Sequence, residues 1–245
     1  MMSVVTGNKQ SPIDIRLSDA VFDASLDANS FQFSYVNEDC TEIINTGTSW
    51  TVVCTQNARS SLTAGHLPGS YRLAQFHCHW ASNSWNGSEH TVLGKGFVGE
   101  LHFVHWNTTY GNFQSAVSHP DGIAVVAVFL DEAPLEMPNQ ELQPLLNYLS
   151  SIKHKGERAS MAGFNVASLI PDKKDFWTYY GSLTTPPYTE CVLWTVFKEP
   201  IFISYSQLKN FRDLLPSNVR PVQKLNDRTV RASFELGGRV YSTRK

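Results

Sequence analysis

The chain of 245 residues predicts a mainly β (α+β) fold, a single domain over residues 1–245 built on a large twisted, mostly antiparallel central sheet with a few short peripheral helices. Three observations lead there. Short runs rich in Val, Ile, Thr and aromatic residues recur between Gly, Pro, Asn and Asp clusters, the signature of strands closed by turns. Only two stretches carry a helical period. No Gly/Ser-rich, Pro-rich or charged linker divides the chain, and its length suits one large core.

The elements follow in chain order. Strands are expected over 31–35, 42–45, 50–54, 71–80, 100–106, 123–130, 191–197 and 228–234. The segment 123–130 is apolar at every position, so it reads as a strand covered on both faces. A helix is expected over 138–153, where Leu142, Leu145, Leu146, Leu149 and Ile152 recur on one face behind Pro138. A second is expected over 206–215, with Leu208, Phe211 and Leu215 on one side and Pro216 as the stop.

Composition removes several classes of function. The formal net charge is −2 and basic residues are scattered, with Arg239, Arg244 and Lys245 too few to form a patch, so neither nucleic acid nor an anionic membrane is an expected partner. Residues 1–7 lack the basic start and apolar stretch of a signal peptide, and no segment reaches transmembrane length, so a cytoplasmic location is expected. Cys40, Cys54, Cys78 and Cys191 have no CxxC spacing and read as free thiols of a reducing compartment, with a Cys40–Cys54 bridge across two strands as the open alternative.

The chemistry is carried by two of the strands. In Gln75-Phe76-His77-Cys78-His79-Trp80 the two histidines are one residue apart, and strand alternation projects both to one face. A neighbouring strand, Glu100-Leu101-His102-Phe103-Val104-His105-Trp106, can add His102. Gln75 and Glu100 each precede a histidine by two residues, which suits them to hold its second ring nitrogen. The same parity turns Cys78 and His105 away and groups Tyr71 and Leu73 with Gln75. Three neutral imidazoles leave one tetrahedral position open, the mark of a catalytic rather than a structural zinc. His90 and His105 are expected as satisfied core residues, and His66, His119 and His154 on loops or helix surface, with His66 the spare candidate for a proton relay.

The run Ser88-Glu89-His90-Thr91-Val92, continuing through Phe97 to residues 100–107, resembles the signature of the α-class carbonic anhydrases. Gln10-Ser11-Pro12-Ile13-Asp14-Ile15, Tyr71-Arg72-Leu73, Pro120-Asp121-Gly122, Gly181-Ser182-Leu183-Thr184-Thr185-Pro186-Pro187, Asn218-Val219-Arg220-Pro221 and Val230-Arg231-Ala232-Ser233-Phe234 extend the resemblance along nearly the whole chain. It implies reversible hydration of carbon dioxide to bicarbonate and a proton, with Zn²⁺ on His77, His79 and His102, held in turn by Gln75, Glu100 and the Asn218 carbonyl. Thr184 and Glu89 become an orienting pair: an ionised carboxylate only accepts, so the hydroxyl donates to it and accepts from zinc-bound hydroxide. Val104, Val125, Leu183, Val192 and Trp194 become the apolar wall beside the substrate, with Thr185 and Phe113 further out. Anions and sulfonamides are the implied inhibitors, and a monomer is expected.

Two departures qualify the resemblance. Fast members carry a shuttle histidine after Asn-x-Gly, whereas Asn45-Thr46-Gly47 is followed by Thr48, which has no pKa near neutrality. Members also carry a longer segment before the Gly-x-x-Gln-Ser-Pro element than residues 1–6 here. The alternatives are a non-catalytic carbonic-anhydrase-related interaction protein and a zinc esterase.

Overall fold

The computed structural model describes residues 7–236 apart from Gln56 and Ala162. The N-terminal departure and the basic residues Arg239, Arg244 and Lys245 therefore lie outside the described residues. In chain order the strands are β1 (Asp14–Ile15), β2 (Ala20–Phe22), β3 (Gln32–Ser34), β4 (Cys40–Asn45), β5 (Trp50–Cys54), β6 (Ser61–Thr63), β7 (Tyr71–Trp80) and β8 (Thr91–Val92). They continue as β9 (Gly99–Asn107), β10 (Ile123–Glu132), β11 (Arg158–Ser160), β12 (Phe176–Gly181), β13 (Val192–Phe197), β14 (Ile201–Ile203) and β15 (Val230–Ala232). Among the described residues three α-helices, α1 (Phe113–Ala116), α2 (Gln143–Leu149) and α3 (Tyr205–Leu214), lie between them.

Among the described residues thirteen strands join one sheet whose main path runs β11-β4-β5-β7-β9-β10-β13-β12-β15-β2. Most pairings are antiparallel, and β10 runs parallel to β13 and β14 as β15 does to β2. The mainly β expectation therefore holds, with a mixed sheet. β10 occupies the centre between β9 and β13, and its residues from Ile123 to Leu130 are buried, as its unbroken apolar run requires. One face packs Phe76, Phe103, Val126, Val128, Leu193 and Phe197 under α2 and α3. The opposite face packs Val104, Val125, Phe129, Val192, Trp194 and Val196.

Several element boundaries moved for identifiable reasons. The helix expected over 138–153 is only Gln143–Leu149, because Pro144 cannot donate to a preceding turn and is tolerated only at a helix start. The Asn139 side chain accepts from the backbone of Glu141 and Leu142 in the turn before it, yet Leu142, Leu145, Leu146, Leu149 and Ile152 are all buried as the periodicity requires. α3 starts one residue early because Ser204 and Gln207 form a capping box. The strand over 228–234 shrinks to Val230–Ala232. β12 is not among the expected strands, although Phe-Trp-Thr-Tyr-Tyr is strong strand composition; the other unexpected strands are two or three residues long, too short to show a period.

One irregularity decides which way β7 faces. The β7–β9 register runs Leu73 to His105 and then Gln75 to Val104, leaving Ala74 as the extra residue of a bulge. Tyr71 and Leu73 consequently pack in the same core as Phe76 and Cys78, opposite to Gln75, His77 and His79, correcting the parity assigned from uninterrupted alternation.

Phe76 is fully buried on the reverse side of that strand, with Phe103, Trp50 and Phe164 ring centroids 5.5, 5.9 and 5.7 Å away. Replacing it with alanine is expected to cost roughly 3–5 kcal/mol of unfolding free energy. Urea denaturation of the Phe76→Ala variant would measure this; a loss below about 1 kcal/mol would mean that the core closes over the void.

Candidate metal centre and active site

The register of β7 against β9 makes His77 and His102 direct partners, with His79 opposite Glu100 and Gln75 opposite Val104. The three imidazoles converge: ring centroids lie 5.0 Å apart for His77–His79, 5.3 Å for His77–His102 and 4.6 Å for His79–His102. His79 and His102 are buried and His77 is half-buried.

Each ring has one nitrogen committed to an acceptor behind it. His77 Nδ1 lies 2.8 Å from Gln75 Oε1, His79 Nδ1 2.9 Å from the Asn218 carbonyl, and His102 Nε2 2.8 Å from Glu100 Oε1. An amide oxygen, a carbonyl and a carboxylate all demand a ring N–H, so the opposite nitrogens are left with lone pairs. His77 Nε2 and His79 Nε2 nevertheless sit 3.1 Å apart. Two lone pairs that close repel unless a cation lies between them. On tetrahedral zinc, nitrogens bonded at about 2.0–2.1 Å are roughly 3.3 Å apart, so the donor set fits that ion. A ligand atom from each of His77, His79 and His102 lies within 4.8 Å of the others.

The protonation states agree with ligation. Burial first, then the neighbouring His79 and His102 imidazoles, holds His77 well below the ordinary histidine range. Burial also lowers His79, partly offset by the nearby Glu89 carboxylate. Burial opposes ionisation of Glu100, yet the flanking His90 and His102 hold its carboxyl well below the usual range.

Behind the three imidazoles lies a buried network that the histidine pattern alone did not reveal. Glu100 accepts from the backbone N–H groups of Glu89 and His90 at 2.9 and 2.8 Å and meets His90 Nδ1 at 2.7 Å. His90 Nε2 lies 2.7 Å from Tyr179 Oη, which lies 2.9 Å from Ser11 Oγ. His90 is thus the satisfied core residue expected of it. So is His105, whose Nε2 lies 2.8 Å from Tyr35 Oη on the other face of the sheet.

The apolar residues assemble along one line of the sheet. Gln75, Val104, Val125, Trp194 and Tyr179 are successive cross-strand partners on β7, β9, β10, β13 and β12. Val104, Val125, Val192 and Trp194 are buried in one cluster, Leu183 and Phe113 are half-buried against it, and Thr185 is exposed. The Trp194 ring stands edge-on to His102 at 4.9 Å between centroids.

The orienting pair is not closed. Glu89 Oε1 accepts from the Arg220 N–H at 2.9 Å, a contact the sequence did not signal, while Glu89 Oε2 is buried, 3.9 Å from His102 Nδ1, with no hydrogen-bond partner. Thr184 is buried, and the hydrogen bond expected between it and Glu89 is not made. Thr48 is exposed on the β4–β5 turn, where its carbonyl accepts from Asn218 Nδ2 at 2.8 Å. His66 is half-buried rather than on the surface: its Nε2 lies 2.8 Å from Thr195 Oγ1, and strand alternation turns Thr195 away from Trp194 and the imidazole cluster. A relay through His66 is therefore ruled out by the sheet itself. His119 stacks on Tyr110 at 3.7 Å, and His154 is exposed, as expected of a surface residue.

These buried imidazoles give the metal-free protein a defined acid sensitivity. Burial lowers His66 and His105 to about 4, and His77 and His79 are also depressed. The unfolded chain takes up these protons near pH 6.5 and the folded chain only further down, so stability falls as pH drops through the window between about 6.5 and about 4. Denaturant midpoints of metal-free protein should decline steadily from pH 7 to 4.5; a flat profile would mean that the imidazoles titrate in the fold as they do in the unfolded chain.

Comparison with known proteins bears directly on this centre. A family model for eukaryotic-type carbonic anhydrase matches residues 1–234. The chain is 45% identical over 240 residues to carbonic anhydrase 1 of Oryctolagus cuniculus, covering 93% of this chain and 100% of that protein. It is 44% identical over 244 residues to carbonic anhydrase 1 of Mus musculus, with 94% and 92% covered. It is 42% identical over 241 residues to carbonic anhydrase 3 of Homo sapiens, with 94% and 91% covered. With three imidazoles converging on one face of a sheet and a family match over almost the whole chain, this protein belongs to the eukaryotic-type carbonic anhydrases.

Proposed function

We propose that this enzyme catalyses the zinc-dependent, reversible hydration of carbon dioxide to bicarbonate and a proton, with His77, His79 and His102 holding the ion. The observation that carries the metal reading is the 3.1 Å approach of two imidazole nitrogens whose partner nitrogens are already committed. Zinc, when bound, supplies Lewis acidity that lowers the pKa of a coordinated water from 15.7 to about 7.

The remaining work falls to the chain's own residues. Gln75, Glu100 and the Asn218 carbonyl fix the imidazole tautomers, since each accepts from the ring nitrogen that faces away from the cluster. Thr184 is the natural partner for the orphaned Glu89 Oε2, because a buried carboxylate oxygen without a donor is costly. Once the Thr184 hydroxyl donates to Glu89 it can only accept, so it holds the attacking water with a lone pair toward the substrate. Val104, Val125, Leu183, Val192 and Trp194 exclude competing water and hold a small linear apolar substrate, while Phe113 and Thr185 shape the approach. The free thiols suit a reducing compartment, and we assign the enzyme to the cytoplasm.

Purified enzyme should contain one zinc per chain and hydrate carbon dioxide in stopped flow, with inhibition by sulfonamides and small anions. Thr184→Ala should retain zinc and lose about 10- to 100-fold in kcat/KM, the worth of one hydrogen bond to a charged group. Full zinc content with no hydration in the parent enzyme would sink the catalytic reading, and an unimpaired Thr184→Ala would remove the orienting pair.

Proton release sets a second expectation. Thr48 cannot relay a proton, and a group of pKa about 7 releasing directly to water is limited to roughly 10³ s⁻¹ by a recombination rate near 10¹⁰ M⁻¹s⁻¹. Turnover should therefore rise with the concentration of an imidazole-type buffer. Thr48→His should raise turnover in dilute buffer severalfold and flatten that dependence; parent turnover far above the limit without buffer would refute it.

A further inference from the structure

We propose that Cys40 and Cys54 are a redox site, closing reversibly to a disulfide that staples the outer hairpin of the sheet. The two residues are direct cross-strand partners on β4 and β5. Thr55 N–H donates to the Asp39 carbonyl at 2.9 Å, the single cross-strand bond at 39/55, since Asp39 N–H donates to the Val36 carbonyl, and this places 40/54 at the adjoining non-hydrogen-bonded position. In such pairs the Cα atoms are about 4.5 Å apart and the side chains approach most closely, inside the window of roughly 4.4–6.8 Å that a disulfide accepts. The thiol sulfurs stand 3.2 Å apart, against about 2.05 Å for the bond, so closure asks for a small side-chain adjustment rather than strand movement.

The other two thiols share none of this. Cys78 faces the same core from β7, with its sulfur 3.4 Å from the His79 carbonyl, and Cys191 packs in the cluster on the opposite face. Access is also graded within the pair. Cys40 is fully buried and Cys54 is 8% exposed, so a small oxidant reaches Cys54 first. The Cys40 thiol beside it, and then burial, raises the Cys54 pKa far above its ordinary value. Little thiolate forms at neutral pH, so oxidation is slow and the pair closes only under sustained exposure to oxidant.

The oxidant class is a small hydroperoxide, and the chemistry balances in two steps. Cys54 Sγ, after losing its proton, attacks one peroxide oxygen; the O–O bond breaks, the departing alkoxide takes that proton and leaves as the alcohol, and Cys54 becomes a sulfenic acid. Cys40 Sγ then attacks the Cys54 sulfur, the S–O bond breaks, and water leaves with the Cys40 proton. Two thiols give up two electrons, and the hydroperoxide is reduced to an alcohol and water. The linked residues enclose the β4–β5 turn and lie one strand away from His77, since β5 pairs Thr51 with His77 and Val53 with Gln75.

The test treats the zinc-loaded enzyme with hydrogen peroxide and follows intact mass, thiol count under denaturing conditions and non-reducing peptide maps. Expected are a mass loss of about 2 Da, the disappearance of two of four thiols, and a linked peptide containing Cys40 and Cys54, all reversed by dithiothreitol. The thermal midpoint should rise by about 5–10 °C, from the closure of a short loop in a domain of this size. The Cys40→Ala/Cys54→Ala variant should show neither change. Four surviving thiols, a bridge through Cys78 or Cys191, or Cys54 oxidised to sulfinic acid beside a free Cys40 would overturn the proposal, and these readings on the parent protein stand even if the variant does not fold.

Discussion

The antiparallel register between β7 and β9 is the constraint on which the centre depends. It sets His77 against His102 and His79 against Glu100, so the three imidazoles and the carboxylate behind His102 become neighbours through backbone hydrogen bonding alone. A slip of one residue would turn every one of these side chains to the opposite face. The register is secured from both sides: Phe76, Cys78, Leu101 and Phe103 fill one core while Val104 and Trp106 fill the other. The bulge at Ala74 adds to this, because it lets the strand enter with Tyr71 and Leu73 in one core and still deliver Gln75, His77 and His79 to the other face.

Two buried carboxylates stand near the imidazoles in opposite conditions. Glu100 is saturated, with two backbone N–H groups and the rings of His90 and His102 around it, and its charge is fixed. That arrangement suits a group that holds an imidazole still. Glu89 has the Arg220 N–H on one oxygen and nothing on the other. An unsatisfied acceptor in a buried site is expensive, and such groups concentrate where chemistry needs a partner that comes and goes. The difference between the two follows from the backbone around them, since residues 89 and 90 direct their N–H groups at Glu100.

Asn218 ties the centre to the outer hairpin. Its carbonyl takes His79, its side-chain oxygen takes the Trp80 N–H, and its amide donates to the carbonyls of Cys78 and Thr48. One residue from a distant part of the chain thereby orients an imidazole and anchors the turn that holds Thr48. Thr48 itself reaches only the neighbouring Thr46 hydroxyl with its side chain, 3.1 Å away, so the turn is well placed yet carries no titratable group at that position. The β4–β5 hairpin that supports the turn carries the cysteine pair at its other end.

The amino-acid sequence by itself determined the strand class, the central apolar strand, the pairing of His77 with His79 on one face and the exclusion of Cys78 and His105. These rest on the two-residue period of extended chain, which is local and legible. Length was less legible: Pro144 cut the helix expected over 138–153, and strands of two or three residues have no period to read. Only the tertiary structure decided that β7 and β9 pair with His77 opposite His102, that Ala74 bulges, that His66 lies across the sheet from the imidazoles, and that the Asn218 carbonyl stands behind His79. Register, bulges and contacts between residues more than a hundred positions apart are settled by simultaneous packing of both faces of a sheet, and no local pattern in the chain encodes that balance.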